Sequence, residues 1–222
     1  MSPNPYLSFS RIPLSNTSLA NRIEETKLDF NVIHESEAIF EKFLHLLHKK
    51  FSPSNILILS DSDEFFKEKL VTIFPASKVT TYNSSNLKMT DLDSYELVFS
   101  VCYLHSFTDP FDFWTILQRA SNENTVIYIS DYIRPSSFEK AKESVHRFEL
   151  SQEIKNDSNS NLTHKSNQPI NVNWKEKFYD ALLASFTIEE LETMLSQIRL
   201  SNKVNVELVS ERQWVCYSRF LL

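Results

Sequence analysis

Glycine is absent from this chain of 222 residues. At an ordinary usage near ~7%, chance alone would produce that roughly once in 10⁷ chains, so depletion or unusual drift has removed it. No turn can then use the residue that accepts positive φ without steric cost. The task falls to the abundant Asn, Asp and Ser, of which Asn and Asp are the next most tolerant. Cysteine is scarce as well. Cys102 and Cys216 sit in separate apolar segments that read as strands, with no CxxC or Cys/His spacing, which excludes a disulfide framework and a zinc module. They read as buried free thiols in a reducing compartment. There is no basic surplus: the net charge is −6 and the pI near 5.6, which removes the electrostatic footprint of a duplex nucleic-acid binder and leaves a small-molecule substrate or a protein partner. Long apolar runs are also missing. No stretch approaches the ~18 residues of a membrane span, and the opening MSPNPYLSFSR has no apolar core of a signal peptide, so a cytoplasmic protein without membrane attachment is expected.

What is present is the composition of a globular domain, 41% hydrophobic and 23% charged. Residues 1–34, rich in Ser, Asn and Pro, read as an N-terminal arm, and residues 35–222 as one domain. Over 37–50, Ile39, Phe40, Phe43, Leu44, Leu46 and Leu47 recur at helical spacing. Asn55 to Leu59 is a continuous apolar run, the mark of a strand buried on both faces. Ser60 to Asp63 offers N-caps to a helix carrying Phe65, Phe66, Leu70 and Ile73. Strands follow at 78–82, 95–101 and 125–130, with a helix opened by Asp109-Pro110 before the last of these. Helices are expected over 136–154, 174–186 and from the capping box Thr187-Ile188-Glu189-Glu190 to Ile198. Between the first two, 155–171 is dense in Asn, Ser and Lys and reads as a mobile loop. Runs at 204–209 and 213–219 suggest a terminal antiparallel hairpin. Strands alternating with helices indicate an α/β fold, a doubly wound and mainly parallel sheet that binds ligands beyond the carboxyl ends of its strands.

From residue 37 to 220 this order resembles the class I S-adenosylmethionine-dependent methyltransferases of the small-molecule type. ILILSDSDEF stands where that family has its first strand and cofactor turn, and LVTIFPASKVTTYNSS is similar to the second strand and ribose-binding turn. SYELVFSVCYLHSFTDPFDFWTILQRA resembles the fourth strand with its loop and helix, TVIYISDYIRP the fifth strand with a trailing Asp-x-x-Arg-Pro, and FYDALLASFTIEELETML the helix pair before the hairpin. The departures are local. Ser60, Ser62 and Glu64 match the three glycines of the cofactor turn, Ile58 matches the acidic residue of the first strand, and Asn83 matches the ribose-gripping acid. The Pro-Gly-Gly before the fifth strand falls on Glu123-Asn124-Thr125. Asn83 and Tyr95 are so close in sequence that the second crossover helix and the third strand are expected to be shortened or missing.

The resemblance implies S-adenosylmethionine as cofactor, with Ser60, Asp61, Ser62, Tyr82, Asn83, Cys102 and Tyr103 around it. Serine keeps a small side chain and a hydroxyl where glycine is usual. Asn83 can bond two ribose hydroxyls but without charge assistance, so binding is expected to be weakened or lost. His105 stands as catalytic base or substrate contact, or as a loop histidine bonding the backbone. Tyr132 joins it as a catalytic candidate, and Arg134 is read as a contact for a polar or anionic substrate. For both, the alternative is a rim position with a surface ion pair. Tyr82 and Asn83 form either the ribose pair or merely the end of a strand, and Cys102 either lines the adenine pocket or is a structural thiol. His45 and His48 can share a helix face, but no further ligand accompanies them and no metal is expected. Trp114, Trp174 and Trp214 read as core or rim aromatics. Two functions remain open: a small-molecule methyltransferase with an atypical Ser/Asp turn, or a pseudo-methyltransferase serving as a binding or scaffold subunit.

Overall fold

A computed structural model describes residues 43–44, 47–60, 63–82, 94–158 and 174–219. Its elements in chain order are β1 (Asn55–Leu59), α1 (Asp63–Ile73), β2 (Lys78–Tyr82), β3 (Leu97–Val101), a 3₁₀ turn (Leu104–Ser106), α2 (Pro110–Arg119), β4 (Val126–Tyr132), α3 (Phe138–Ser158), α4 (Trp174–Ala184), α5 (Ile188–Gln197), β5 (Val204–Leu208) and β6 (Gln213–Ser218). Residues 43–44 and 47–50 are also helical. The described strands form one six-stranded sheet in the order β2-β1-β3-β4-β6-β5. β1 to β4 are parallel, while β6 runs antiparallel to both β4 and β5, so it alone is reversed.

This order locates the functional edge. The chain moves outward from β1 to β2, then returns across β1 to begin β3 on its other side. The connections therefore leave the carboxyl ends of β1 and β3 in opposite directions, opening the crevice in which doubly wound sheets hold ligands. β1 sits inside the sheet, paired with β2 through Ile56↔Val79 and with β3 through Ile56↔Leu97. Its apolar residues are fully buried because both faces are covered. Leu57 and Leu59 face Phe113, Leu117 and Met194 of α2 and α5, whereas Ile56 and Ile58 face Phe66 and Leu70 of α1 and Leu44 and Leu47. Trp114 and Trp214 belong to the first of these layers.

Helix boundaries follow local chemistry. Asp109 caps α2 by accepting from the Phe111 N–H at 2.9 Å, with Pro110 in the first turn. In α5 the capping box is complete: Glu190 N–H donates to Thr187 Oγ1 and Thr187 N–H to the Glu190 carboxylate.

Two expectations need correction. β4 does not stop at Ser130; it continues to Tyr132, because β6 pairs with it as far as Tyr132↔Gln213 and the Trp214 indole N–H donates to the Tyr132 carbonyl at 2.8 Å. Asp131 and Tyr132 are thus buried strand residues and not a trailing rim. α3 continues to Ser158, four residues into the segment read as a mobile loop; 159–171 lies outside the described residues, as do the arm 1–34 and the stretch 83–93 beyond β2.

The lack of glycine leaves a visible trace. Among the described residues, Cys102 (φ 51°) and Arg199 (φ 60°) occupy the left-handed region. Arg199 does so just past the C-cap of α5, where its N–H donates to the Ser196 carbonyl (3.1 Å) and the Leu200 N–H to the Leu195 carbonyl (2.8 Å). That is a Schellman ending, with arginine in the place where glycine is usual.

Candidate active site

Three strand ends build the edge. β1 closes on Ser60, a buried residue whose N–H reaches the Tyr82 carbonyl at 3.4 Å and so ties β1 to the end of β2. The Ser100 hydroxyl donates to the Leu59 carbonyl (2.9 Å) and fixes β3 to β1 at the same level. Tyr82 is buried, and its phenol is held above its ordinary pKa of 10.0 first by burial and then by the negative charge of Asp112. Asp61, Ser62 and Asn83 lie outside the described residues. Of the cofactor candidates, Ser60, Tyr82, Cys102 and Tyr103 therefore stand at the carboxyl ends of three neighbouring strands, β2, β1 and β3.

Beyond β3 the left-handed Cys102 turns the chain, and its N–H donates to the Ser130 carbonyl of β4 at 2.8 Å. Its thiol is half-buried. Tyr103 is buried edge-to-face against Phe107, with ring centroids 4.9 Å apart. This bend delivers the 3₁₀ turn, and with it His105, to the end of β4.

There His105 meets Asp131. Its Nδ1 lies 2.7 Å from Asp131 Oδ1, and its backbone N–H donates to Oδ2 at 3.0 Å. The Tyr132 N–H donates to Oδ1 at 2.7 Å. Asp131 thus accepts three bonds at 2% side-chain exposure, and the imidazole is 8% exposed. A carboxylate only accepts, so Nδ1 carries a proton in this bond. When the ring is neutral, Nε2 is left with the lone pair. Both nitrogens are thereby assigned distinct roles: Nδ1 orients, and Nε2 can take a proton. The Tyr132 ring lies 5.5 Å from the imidazole and 5.3 Å from Phe178, in the aromatic layer that α3 and α4 lay over the end of β4.

The sequence reading found His105 but not its partner, because it placed Asp131 beyond the strand. A signal was available. Ile127, Ile129 and Asp131 alternate onto one face of β4, and an acid continuing an apolar face must find donors.

Arg134, read as a substrate contact or an ion-paired rim residue, follows the end of β4; its guanidinium pairs with Glu190 and its N–H donates to the Phe186 carbonyl, so it ties this strand end to the start of α5. Cys216, in β6, is fully buried, and burial pushes its thiol up to about 12. Among the described residues no cluster of three or more His, Cys, Asp or Glu could hold a metal, and no helix is long and apolar enough to cross a membrane.

A mainly parallel sheet with its topological switch at β1/β3, in which β6 alone of the described strands is reversed, is the class I S-adenosylmethionine-dependent methyltransferase fold. Solved structures of that fold align over most of the chain. The plantazolicin methyltransferase BpumL in complex with SAH matches with a TM-score of 0.52 at 14% identity, over 90% of this chain and 89% of that one. The plantazolicin methyltransferase BamL, in complex with a triazolic desmethylPZN analog and SAH, matches with a TM-score of 0.53 at 11% identity over the same shares. No family model and no curated protein matches the sequence.

Proposed function

We propose that this protein is an S-adenosylmethionine-dependent methyltransferase acting on a small molecule. The observation that carries the reading is the His105–Asp131 pair at the carboxyl edge of β3 and β4, beside the crevice at the β1/β3 switch. A buried carboxylate that accepts one bond from the imidazole and two from the backbone N–H groups of His105 and Tyr132 fixes both the ring and the turn that carries it, an arrangement with a clear catalytic use. Structures sharing the fold hold SAH, which supports the same ligand class here.

The described edge residues fit such a ligand. Ser60, at the switch, carries only a hydroxymethyl group, and the buried Tyr82 and Tyr103 flank it at the ends of β2 and β3. Ser60, Asp61, Ser62, Tyr82, Asn83, Cys102 and Tyr103 would hold it. When bound, S-adenosylmethionine supplies an electrophilic methyl group on a sulfonium. The chain's own part is to align the acceptor, exclude water and take up a proton. Asp131 fixes the imidazole, His105 Nε2 receives the proton, and Tyr132 with Phe178 walls the imidazole from the α3/α4 side.

A second reading, a pseudo-methyltransferase acting as a scaffold subunit, is favoured by one feature. Ile58, at the position of the family's first-strand acid, is sealed in the core, and the turn after it has no glycine. Thermal unfolding separates the two. Saturating SAH should raise the melting temperature, since a ligand bound only by the native state stabilises it. No shift with either SAH or S-adenosylmethionine would replace the enzyme reading with the scaffold.

A further inference from the structure

We propose that a cavity at the edge where the parallel strands begin binds the phosphate monoester of a small molecule, at a site separate from the crevice at the β1/β3 switch. The cavity measures about 520 Å³, a size that takes a small organic ligand. Its floor is the start of β4, at Thr125 and Ile127, beside Ser218 at the end of β6, whose hydroxyl accepts from the Ile127 N–H at 2.8 Å. The carboxyl ends of α2 and α5 form its walls. Ser60 and His105 stand at the opposite edge of the sheet, so the proposal goes beyond the methyltransferase reading and does not depend on it.

Charge selects the ligand. In a chain of net charge −6, three cations, Arg199, Lys203 and Arg219, border this cavity with a single carboxylate, Glu123. The surplus of two positive charges matches a phosphate monoester near its dianionic form at neutral pH. Neither Arg199 nor Lys203 has a side-chain ion pair among the described residues. Arg219 is fixed in place: Nε donates to the Val204 carbonyl at 3.0 Å and Nη2 to the Ser201 carbonyl at 3.1 Å, leaving Nη1 unbonded among the described residues. Arg199 is held at φ 60°, although asparagine, plentiful in this chain, tolerates that conformation better. Attraction to the α5 dipole explains a cation at that one place, but not Lys203 before β5 or Arg219 after β6. The helix carbonyls that would repel an anion are covered: Ile198 accepts from Gln118 Nε2 at 3.0 Å, and Leu195 from the Leu200 N–H at 2.8 Å. The Ser121 hydroxyl, shielded from solvent on the same wall, has no hydrogen-bond partner among the described residues, a donor for a phosphate oxygen. Ile198 and Leu200, only partly buried, add apolar surface for the ligand's organic part.

The test is calorimetric titration of the full chain with phenyl phosphate, at low ionic strength and slightly alkaline pH, where the phosphate is fully ionised. Phenol, benzoate and inorganic phosphate serve as comparators. Phenyl phosphate should bind saturably at one site per chain, about tenfold or more tightly than each comparator. Arg199→Gly combined with Lys203→Gln should weaken it by about tenfold or more. That variant keeps the fold, because glycine suits the left-handed position and Lys203 is exposed; thermal unfolding checks this. Glu123→Gln removes the opposing carboxylate and should tighten binding about threefold, a gain that no loss of folding can produce. Saturating SAH should leave the affinity unchanged. No heat of binding at millimolar phenyl phosphate overturns the proposal, as does undiminished affinity in the double variant or no gain in Glu123→Gln. Equal binding of phenol, benzoate or inorganic phosphate also overturns it, since each would show that the ester is not what the site reads. Competition by SAH would place the probe in the β1/β3 crevice, with the same result.

Discussion

Asp131→Asn changes no more than a charge and one polar atom, yet its effect can be worked from three bonds. In the native side chain Oδ1 accepts from His105 Nδ1 and the Tyr132 N–H, and Oδ2 accepts from the His105 N–H. The amide keeps two acceptor bonds if its oxygen takes the Oδ1 place. Its NH₂ then faces the His105 backbone N–H, and that donor loses its partner at a site 2% exposed. A buried donor without a partner costs about 1–3 kcal/mol, and the two retained bonds lose charge assistance at roughly 0.5–1 kcal/mol each. Relief from burying a carboxylate returns part of this, leaving about 2 kcal/mol of destabilisation. For a chain of this size that lowers the melting temperature by roughly 4–8 °C. Urea unfolding should show an earlier midpoint with unchanged slope. A loss under about 0.5 kcal/mol, the range of a neutral surface change, would refute the bonding scheme around Asp131.

Three further outcomes follow from the same structure. Arg199→Gly should stabilise by about 0.5 kcal/mol in urea unfolding: relief of the left-handed cost, ~1–2 kcal/mol, exceeds the added unfolded-state entropy and the lost cation at the α5 terminus. Arg134→Met should destabilise by about 1 kcal/mol in urea unfolding through loss of the Glu190 pair; an unchanged midpoint would show that the pair does not hold β4 to α5. Stability should also fall at alkaline pH. The folded state keeps the Cys216 proton to about 12 while the unfolded thiol loses it near its ordinary 9.0, so the unfolded state binds fewer protons over that interval. The slope contributed is up to about 1.4 kcal/mol per pH unit, downward as pH rises from 9 to 12; burial of Tyr128 adds to it, and Cys216→Ala should make the decline shallower.

Most of the architecture was legible because its signals are local. The apolar run of β1, the Asp109-Pro110 start of α2 and the Thr187/Glu190 box each fix an element from neighbouring residues. What escaped was set by contacts distant in sequence. β4 reaches Tyr132 because β6, about eighty residues later, pairs with it and the Trp214 indole bonds its carbonyl. That extension turns Asp131 inward to His105, a pairing across 26 residues that no spacing rule signals. The Arg134–Glu190 pair likewise joins residues 56 apart in sequence. The place of His105 was legible, since a histidine in the loop after an apolar strand falls at the carboxyl edge of a parallel sheet whichever partner it finds.

The central claim is that the crevice at the β1/β3 switch holds an adenosyl cofactor despite its glycine-free turn. Isothermal titration with SAH tests it directly, comparing the natural protein with a variant carrying Ser60→Gly, Ser62→Gly, Glu64→Gly and Asn83→Asp. Loss of charge-assisted ribose bonding at Asn83, together with the loss of the turn's glycines, is expected to weaken affinity by about two to four decades. The account predicts weak, saturable binding by the natural protein and markedly tighter binding by the variant. No heat of binding in either protein would contradict it.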